Sequence, residues 1–310
     1  MGSCRGKRRG KNEMSTLESP HTLRVTGDVP QAVALAFLKG EPRENVYLIS
    51  RIWQSGMTDT LDASHGSFLG AFDDDQSLRG LCFMGNGGTL VLSVDDPWVA
   101  GTFAEPLAER GFPFSLCVCE NTASRVFLSA YKKVGGPKPL MDRRQPYYIL
   151  DASSLAKRGV KELAVEQASL DSIDELTEMA CAMVAEDFKL KNQAVNRSQY
   201  RSRMTDKVMG GRAFLSRDDD GRAVFKCDFA VLGPYGGLME GVFTPKSDRK
   251  NGIATRAIWS LCRDLLGEGE VPFITLHVDA RNKAARRAYE KVGFQQAGDF
   301  RLILMPARHS

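Results

Sequence analysis

The 310-residue sequence predicts a mixed α/β fold built twice in tandem, each copy a largely antiparallel sheet flanked by helices. Three observations predict it. Residues 113–135 and 272–293 repeat one pattern: Pro-Phe, an apolar strand, a polar turn, then a helix closing on Ala-Tyr-x-Lys-Val-Gly (Ala130 to Gly135, Ala288 to Gly293). A second echo lies upstream. Ser67-Phe68-Leu69 leads to Asp73-Asp74-Asp75 as Ala213-Phe214-Leu215 leads to Asp218-Asp219-Asp220, an apolar strand entering an acidic turn. The chain length suits two domains of about 150 residues better than one core.

Residues 1–22 are polar and lack periodicity, and read as a disordered basic leader, or as sequence upstream of a start at Met14. The first copy runs from 23 to 150, a polar stretch at 151–162 reads as a linker, and the second copy occupies 163–310. In the second copy, Leu176, Met179, Ala180, Met183 and Val184 recur at helical spacing, so a helix is expected over 171–188, with Asp171, Asp174 and Glu175 at its start. A second helix over 197–209 is stopped by Gly210-Gly211. Strands follow near 212–217, 223–231 and 237–244. The helix over 252–266 has Ala257, Ile258, Leu261, Cys262, Leu265 and Leu266 as its buried stripe. A strand at 273–278, a helix at 283–292 ended by Gly293, and a strand at 299–305 complete the order.

The net charge of +4 is concentrated in the leader: Arg5, Lys7, Arg8, Arg9 and Lys11 have no acid among them, and the rest has 37 basic against 38 acidic residues. A near-neutral body argues against a nucleic-acid partner. No apolar stretch is long enough to span a membrane, and no signal peptide is legible, so a cytoplasmic protein is expected. Seven cysteines without a Cys-x-x-Cys are expected to be small core residues in a reducing compartment, with no metal site.

The chemistry concentrates in Arg249-Lys250-Asn251-Gly252-Ile253-Ala254, between a strand and a helix. Unpaired amides and the helix dipole there favour an anion such as a pyrophosphate, and small residues allow its close approach. No Lys-Ser/Thr follows, so the segment is no nucleotide P-loop. Downstream come Asn282, Ala285, Arg286, Tyr289 and then Gly293-Phe294.

Arg249-x-x-Gly252-x-Ala254 resembles the pyrophosphate loop of the GNAT superfamily of N-acyltransferases. Asn282…Ala285-x-x-x-Tyr289-x-x-x-Gly293-Phe294 resembles a second signature of that superfamily, in the right order. The resemblance covers about 150 residues, and the whole chain is similar to bacterial tandem acetyltransferases with a degenerate N-terminal copy, that is, two tandem GNAT-like domains. It implies acetyl-CoA as cosubstrate, with no metal, and a primary amine as acceptor. The amides of Asn251, Gly252, Ile253, Ala254 and Thr255, with Arg249 and Lys250, would hold the pyrophosphate. Main-chain groups of Val242, Phe243 and Thr244 would pair with the pantetheine arm. Asn282 would bond the arm on its other side, with Arg286 beside it. Tyr289 would protonate the departing thiolate. Glu240 is the first choice of base, His277 the second. Glu186 and Asp187 either attract a cationic amine or form a solvated helix end.

In the first copy the corresponding stretch is Ser93-Val94-Asp95-Asp96-Pro97-Trp98, whose carboxylates would repel a pyrophosphate. Tyr131 stands in the place of Tyr289. The first copy is therefore expected not to bind CoA. A silent acyl-CoA sensor and an aminoacyl transferase using charged tRNA are the other readings, and the chain admits a homodimer.

Overall fold

The computed structural model describes residues 22–57, 66–156, 160–189, 195–267 and 269–306. The leader and Cys4 lie outside the described residues. The first copy contains β1 (Arg24–Thr26), α1 (Gln31–Leu38), α2 (Val46–Ser55), β2 (Gly66–Phe72), β3 (Leu78–Gly85) and β4 (Thr89–Val94). A 3-10 turn at Pro97–Phe103 leads to α3 (Ala104–Glu109), β5 (Leu116–Glu120), α4 (Asn121–Lys133) and β6 (Met141–Leu150). The second contains β7 (Glu166–Gln167), α5 (Ile173–Phe188), α6 (Arg197–Met209), β8 (Ala213–Arg217), β9 (Ala223–Gly233) and β10 (Gly236–Phe243). It closes with α7 (Ile253–Gly267), β11 (Ile274–His277), α8 (Lys283–Val292) and β12 (Gln295–Leu304).

Local chemistry sets these boundaries. The Asn196 carboxamide accepts from the Gln199 amide and starts α6; the Asn282 carboxamide accepts from the Ala285 amide and starts α8. Gly293, at φ 117°, ends α8 in a conformation a side chain resists, and a Cβ there would meet the Ser154 carbonyl at 2.1 Å. Both acidic turns make hairpins, β2–β3 and β8–β9. Two elements depart from the periodicity. β7 is too short to show alternation, and β12 begins at Gln295 because its polar first residues pair with β6 through the backbone alone, past a register shift before Gly298.

All twelve strands form one sheet, in the order β1-β2-β3-β4-β5-β12-β6-β11-β10-β9-β8-β7. The copies exchange their last strands: β6 pairs with β11 of the second copy and β12 with β5 of the first, while β6 and β12 pair with each other at the centre. The expected division near residue 150 thus cuts the chain where β6 is already part of the second copy's sheet. The linker is also tied down. The Ala156 amide donates to the Val292 carbonyl, and the Trp259 indole donates to the Ala156 carbonyl.

Side chains alternate across the sheet, so each copy buries two cores. On one face Phe214, Phe225, Cys227, Phe229 and Met239 pack with α7 and α8; on the other, Ala213 and Leu215 pack with α5 and α6. The first copy repeats this with α3 and α4 on one face and α1 and α2 on the other. The six described cysteines are free and buried, as small core residues. Helix α2 crosses the copy boundary: Val46 packs with Val231 and Phe273, and exposed Trp53 stacks on Tyr235 at 5.2 Å.

Candidate functional site

Strands β10 and β11 run parallel and pair only from Gly237↔Ile274 to Met239↔Leu276. They then part. β11 follows β6, whose Pro146 and Arg144 carbonyls accept from the Val278 and Ala280 amides. β10 follows β9 through a bulge between Glu240 and Phe243. The bulge is made by Gly241 at φ 61°, where a Cβ would lie 2.2 Å from Asp228 Oδ2. The result is a wedge whose β10 edge, from Glu240 onward, has no strand partner on the β11 side. Val242, Phe243 and Thr244 lie on this edge, and the buried Thr244 Oγ1 has no hydrogen-bond partner. An extended arm of alternating donors and acceptors fits such an edge as an added strand.

The wedge opens toward the start of α7. Among the described residues, the amides of Asn251, Gly252, Ile253, Ala254 and Thr255 donate to no protein acceptor; the first closed bond runs from the Arg256 amide to the Gly252 carbonyl. Gly252 has φ 73°, and a Cβ there would meet nothing within 4 Å. The loop is therefore an open cradle of amides at a helix N-terminus, suited to a pyrophosphate. Lys250, at φ 69°, is exposed beside it.

Two expected phosphate or arm contacts are engaged elsewhere. Arg249 donates to the Thr244 carbonyl, pairs with Glu186 at 2.9 Å and lies over the Phe243 ring, so it braces the loop. Arg286 donates to the Tyr148 hydroxyl and to Gln296, joining α8 to β6 and β12. The Glu186 carboxylate, held by Arg249, is likewise not a free attractor for an amine. Asn282 spends its carbonyl oxygen on the α8 cap, leaving its amide hydrogens for a ligand. Asp187 is raised by burial, against the pull of Arg143. That arginine, from β6, donates to the Asp187 carbonyl and stacks on Phe188, holding the end of α5 over the wedge.

Tyr289 lies on the buried face of α8, edge-on to Phe294, and no described protein group hydrogen-bonds its hydroxyl. Burial, then the neighbouring Cys227 and Asp187, raise its pKa. It stays protonated at neutral pH and remains a donor.

Glu240 projects to the α5–α6 face. Protein atoms crowd it, yet 48% of its side chain is exposed, so it lines a recess. Burial alone would raise its carboxyl; the paired Lys207 ammonium, with Lys226 and Arg212 beyond, outweighs this and lowers it. A salt-bridged carboxylate of lowered pKa is a weaker base than the sequence pattern suggested. Tyr47 and Arg51 of α2 approach the same recess: the phenol is raised by burial, with Arg51, Glu240 and Arg212 all within electrostatic reach. His277 packs between Tyr147 and Phe300, its Nδ1 buried without a partner, and burial lowers its pKa to about 4. It is neutral at pH 7, and equally weak as a base.

Sequence reasoning missed Lys207, Tyr47, Arg51, Arg143 and the pair Lys226–Asp228. Only the last left a signal, opposite charges two apart inside the apolar run Val224 to Phe229. Lys226 Nζ donates to Asp228 Oδ2 at 2.7 Å and to the Gly241 carbonyl at 2.9 Å, with side-chain exposures of 0% and 5%.

In the first copy β4 and β5 part in the same way after Val91↔Val118. There the helical segment is capped by Asp96, which accepts from the Trp98 amide, while Asp95 is held by Arg79 at 2.5 Å. The protein's own carboxylates stand where the second copy has open amides.

The family model of FR47-like proteins matches residues 227–302, which span β9 to β12 and hence the whole wedge and loop. No curated protein matches the sequence. Among solved structures, a GCN5-related N-acetyltransferase from Sphaerobacter thermophilus is similar over 95% of this chain and 99% of its own, at 14% identity and TM-score 0.57. A tandem GNAT protein from the clavulanic acid biosynthesis pathway is similar over 92% of this chain and 100% of its own, at 13% identity and TM-score 0.54. A GNAT-family acetyltransferase from Colwellia psychrerythraea covers the same shares at 12% identity and TM-score 0.52. These likenesses extend through both copies, and at such identities they speak for the fold. With the matched family model lying on the wedge and its loop, they show that the chain has the GNAT fold, in two copies in tandem.

Proposed function

We propose that the second copy is an acetyl-CoA-dependent N-acetyltransferase, moving the acetyl group to a primary amine by direct attack on the thioester. The observation that carries this is the wedge between β10 and β11 leading to five unpartnered amides around Gly252. Those amides would hold the pyrophosphate, with Lys250 adding charge, and the free edge at Val242 to Thr244 would hold the arm. Tyr289 would give its proton to the departing thiolate, its raised pKa keeping the proton available. The recess at Glu240 would receive the acceptor, so the first copy would contribute to the cleft through α2. The boundaries 23–150 and 163–310 then mark a copy without CoA and a copy with it. Free, buried cysteines suit a cytoplasmic setting.

Titration calorimetry of the full chain with acetyl-CoA tests the reading. One site per chain supports it; two sites would mean that Asp95 and Asp96 do not close the first wedge, and none would remove the central claim. A second reading, an acyl-CoA sensor without turnover, draws support from the Glu240–Lys207 pair, which leaves β10 without a free base. Thiol release from acetyl-CoA across a panel of amines separates the two.

A further inference from the structure

Glu240 is paired with Lys207, and beside it stands a second carboxylate, also paired with a lysine but with one oxygen left unpartnered. Asp228 is 3% exposed, and only Oδ2 is used, by Lys226. Oδ1 is buried without a partner. A buried acceptor left open in this way asks for a donor that arrives with a ligand. Its position says which ligand. Asp228 is the cross-strand neighbour of Glu240, which lines the acceptor recess, and its Oδ2, the oxygen held by Lys226, lies over Gly241 at the bulge, where any side chain would collide with it. Glycine at 241 thus leaves room for this carboxylate at the bulge, on the edge of the wedge in which the thioester would lie.

We propose that Asp228 binds the acceptor's primary ammonium through Oδ1 and takes its first proton. The neutral nitrogen then forms a bond to the acetyl carbon as the carbon–sulfur bond breaks. The thiolate takes the Tyr289 proton, the nitrogen's second proton restores Tyr289, and Asp228 releases the first to solvent. Lys226 is the positioning residue: bonded to both Asp228 and the Gly241 carbonyl, it fixes the carboxylate against the bulge. The inference rests on the acyl-transfer reading above.

The test uses the full chain, acetyl-CoA, and methylamine, ethanolamine and hydroxylamine as acceptors, following thiol release. Asp228→Asn keeps the shape and the bond to Lys226 but removes the base. The expected result is a fall of about 100- to 10,000-fold in turnover with acetyl-CoA affinity within about threefold of wild type. Lys226→Met combined with Asp228→Leu guards against a folding defect: it is expected to melt cooperatively, bind acetyl-CoA and stay inactive. Turnover retained in either variant overturns the proposal, as does a wild type that binds acetyl-CoA but transfers to none of the three amines. Failure of the wild type to bind acetyl-CoA would instead remove the acyl-transfer reading itself.

Discussion

Gly252→Ala separates the two roles that glycine has in the loop. At φ 73° an alanine is strained by about 1–2 kcal/mol. The new methyl meets no protein atom within 4 Å, so strain is the whole cost to the folded chain. A lowered melting temperature of a few degrees is expected. Binding is affected differently, because the methyl adds bulk in open space on the loop whose amides would meet the phosphate. Displacing a phosphate oxygen from one of them removes a charge-assisted hydrogen bond of about 1.5–3 kcal/mol, or about 10- to 150-fold in Kd. Calorimetry with acetyl-CoA measures this. S-acetyl-N-acetylcysteamine, which has the thioester and no pyrophosphate, should act on the variant as on the wild type. Acetyl-CoA affinity within threefold of wild type would refute the assignment of the loop, and so would equal losses for both thioesters.

Three further outcomes are expected. Tyr289→Phe should lower kcat by about 100-fold or more while acetyl-CoA affinity holds, since only the proton donor is lost; unchanged turnover would make Tyr289 a packing residue. His277 has a folded pKa of about 4 against about 6.5 for an ordinary histidine, so the unfolded chain binds its proton first as the pH falls. Stability should therefore drop between about pH 6.5 and 4, by about 3 kcal/mol from this group, and a His277→Gln variant should flatten that part of the denaturation profile. Residues 151–310 produced alone lack β6, exposing the edges of β11 and β12; association or aggregation is expected by size-exclusion chromatography, and a well-folded monomer would refute the exchange as a structural requirement.

Much of the second copy was legible because its signals are local. Helix periodicity, the Gly210-Gly211 and Gly293 stops and the acidic hairpin turns fix their elements within a few residues, as the observed bounds of α5 to α8 show. The loop around Gly252 was legible for the same reason: a glycine between strand and helix leaves amides free wherever the rest of the chain goes. Side-chain roles were harder. Arg249 and Arg286 carry the charge expected of ligand-binding residues, yet each is turned by its surroundings onto protein partners.

By itself, then, the sequence determined that one fold occurs twice, and that a glycine loop stands between strand and helix in the second copy where the first has Asp95 and Asp96. Both follow from near neighbours in the chain. The tertiary structure alone decided the exchange of β6 and β12, since strand periodicity tells which face is buried but not which edge is the partner. It also decided that Lys207 would neutralise Glu240, and that Lys226 and Asp228 would be locked beneath the bulge. A carboxylate's strength as a base depends on the charges and burial around it, and those come from strands and helices brought together only by folding.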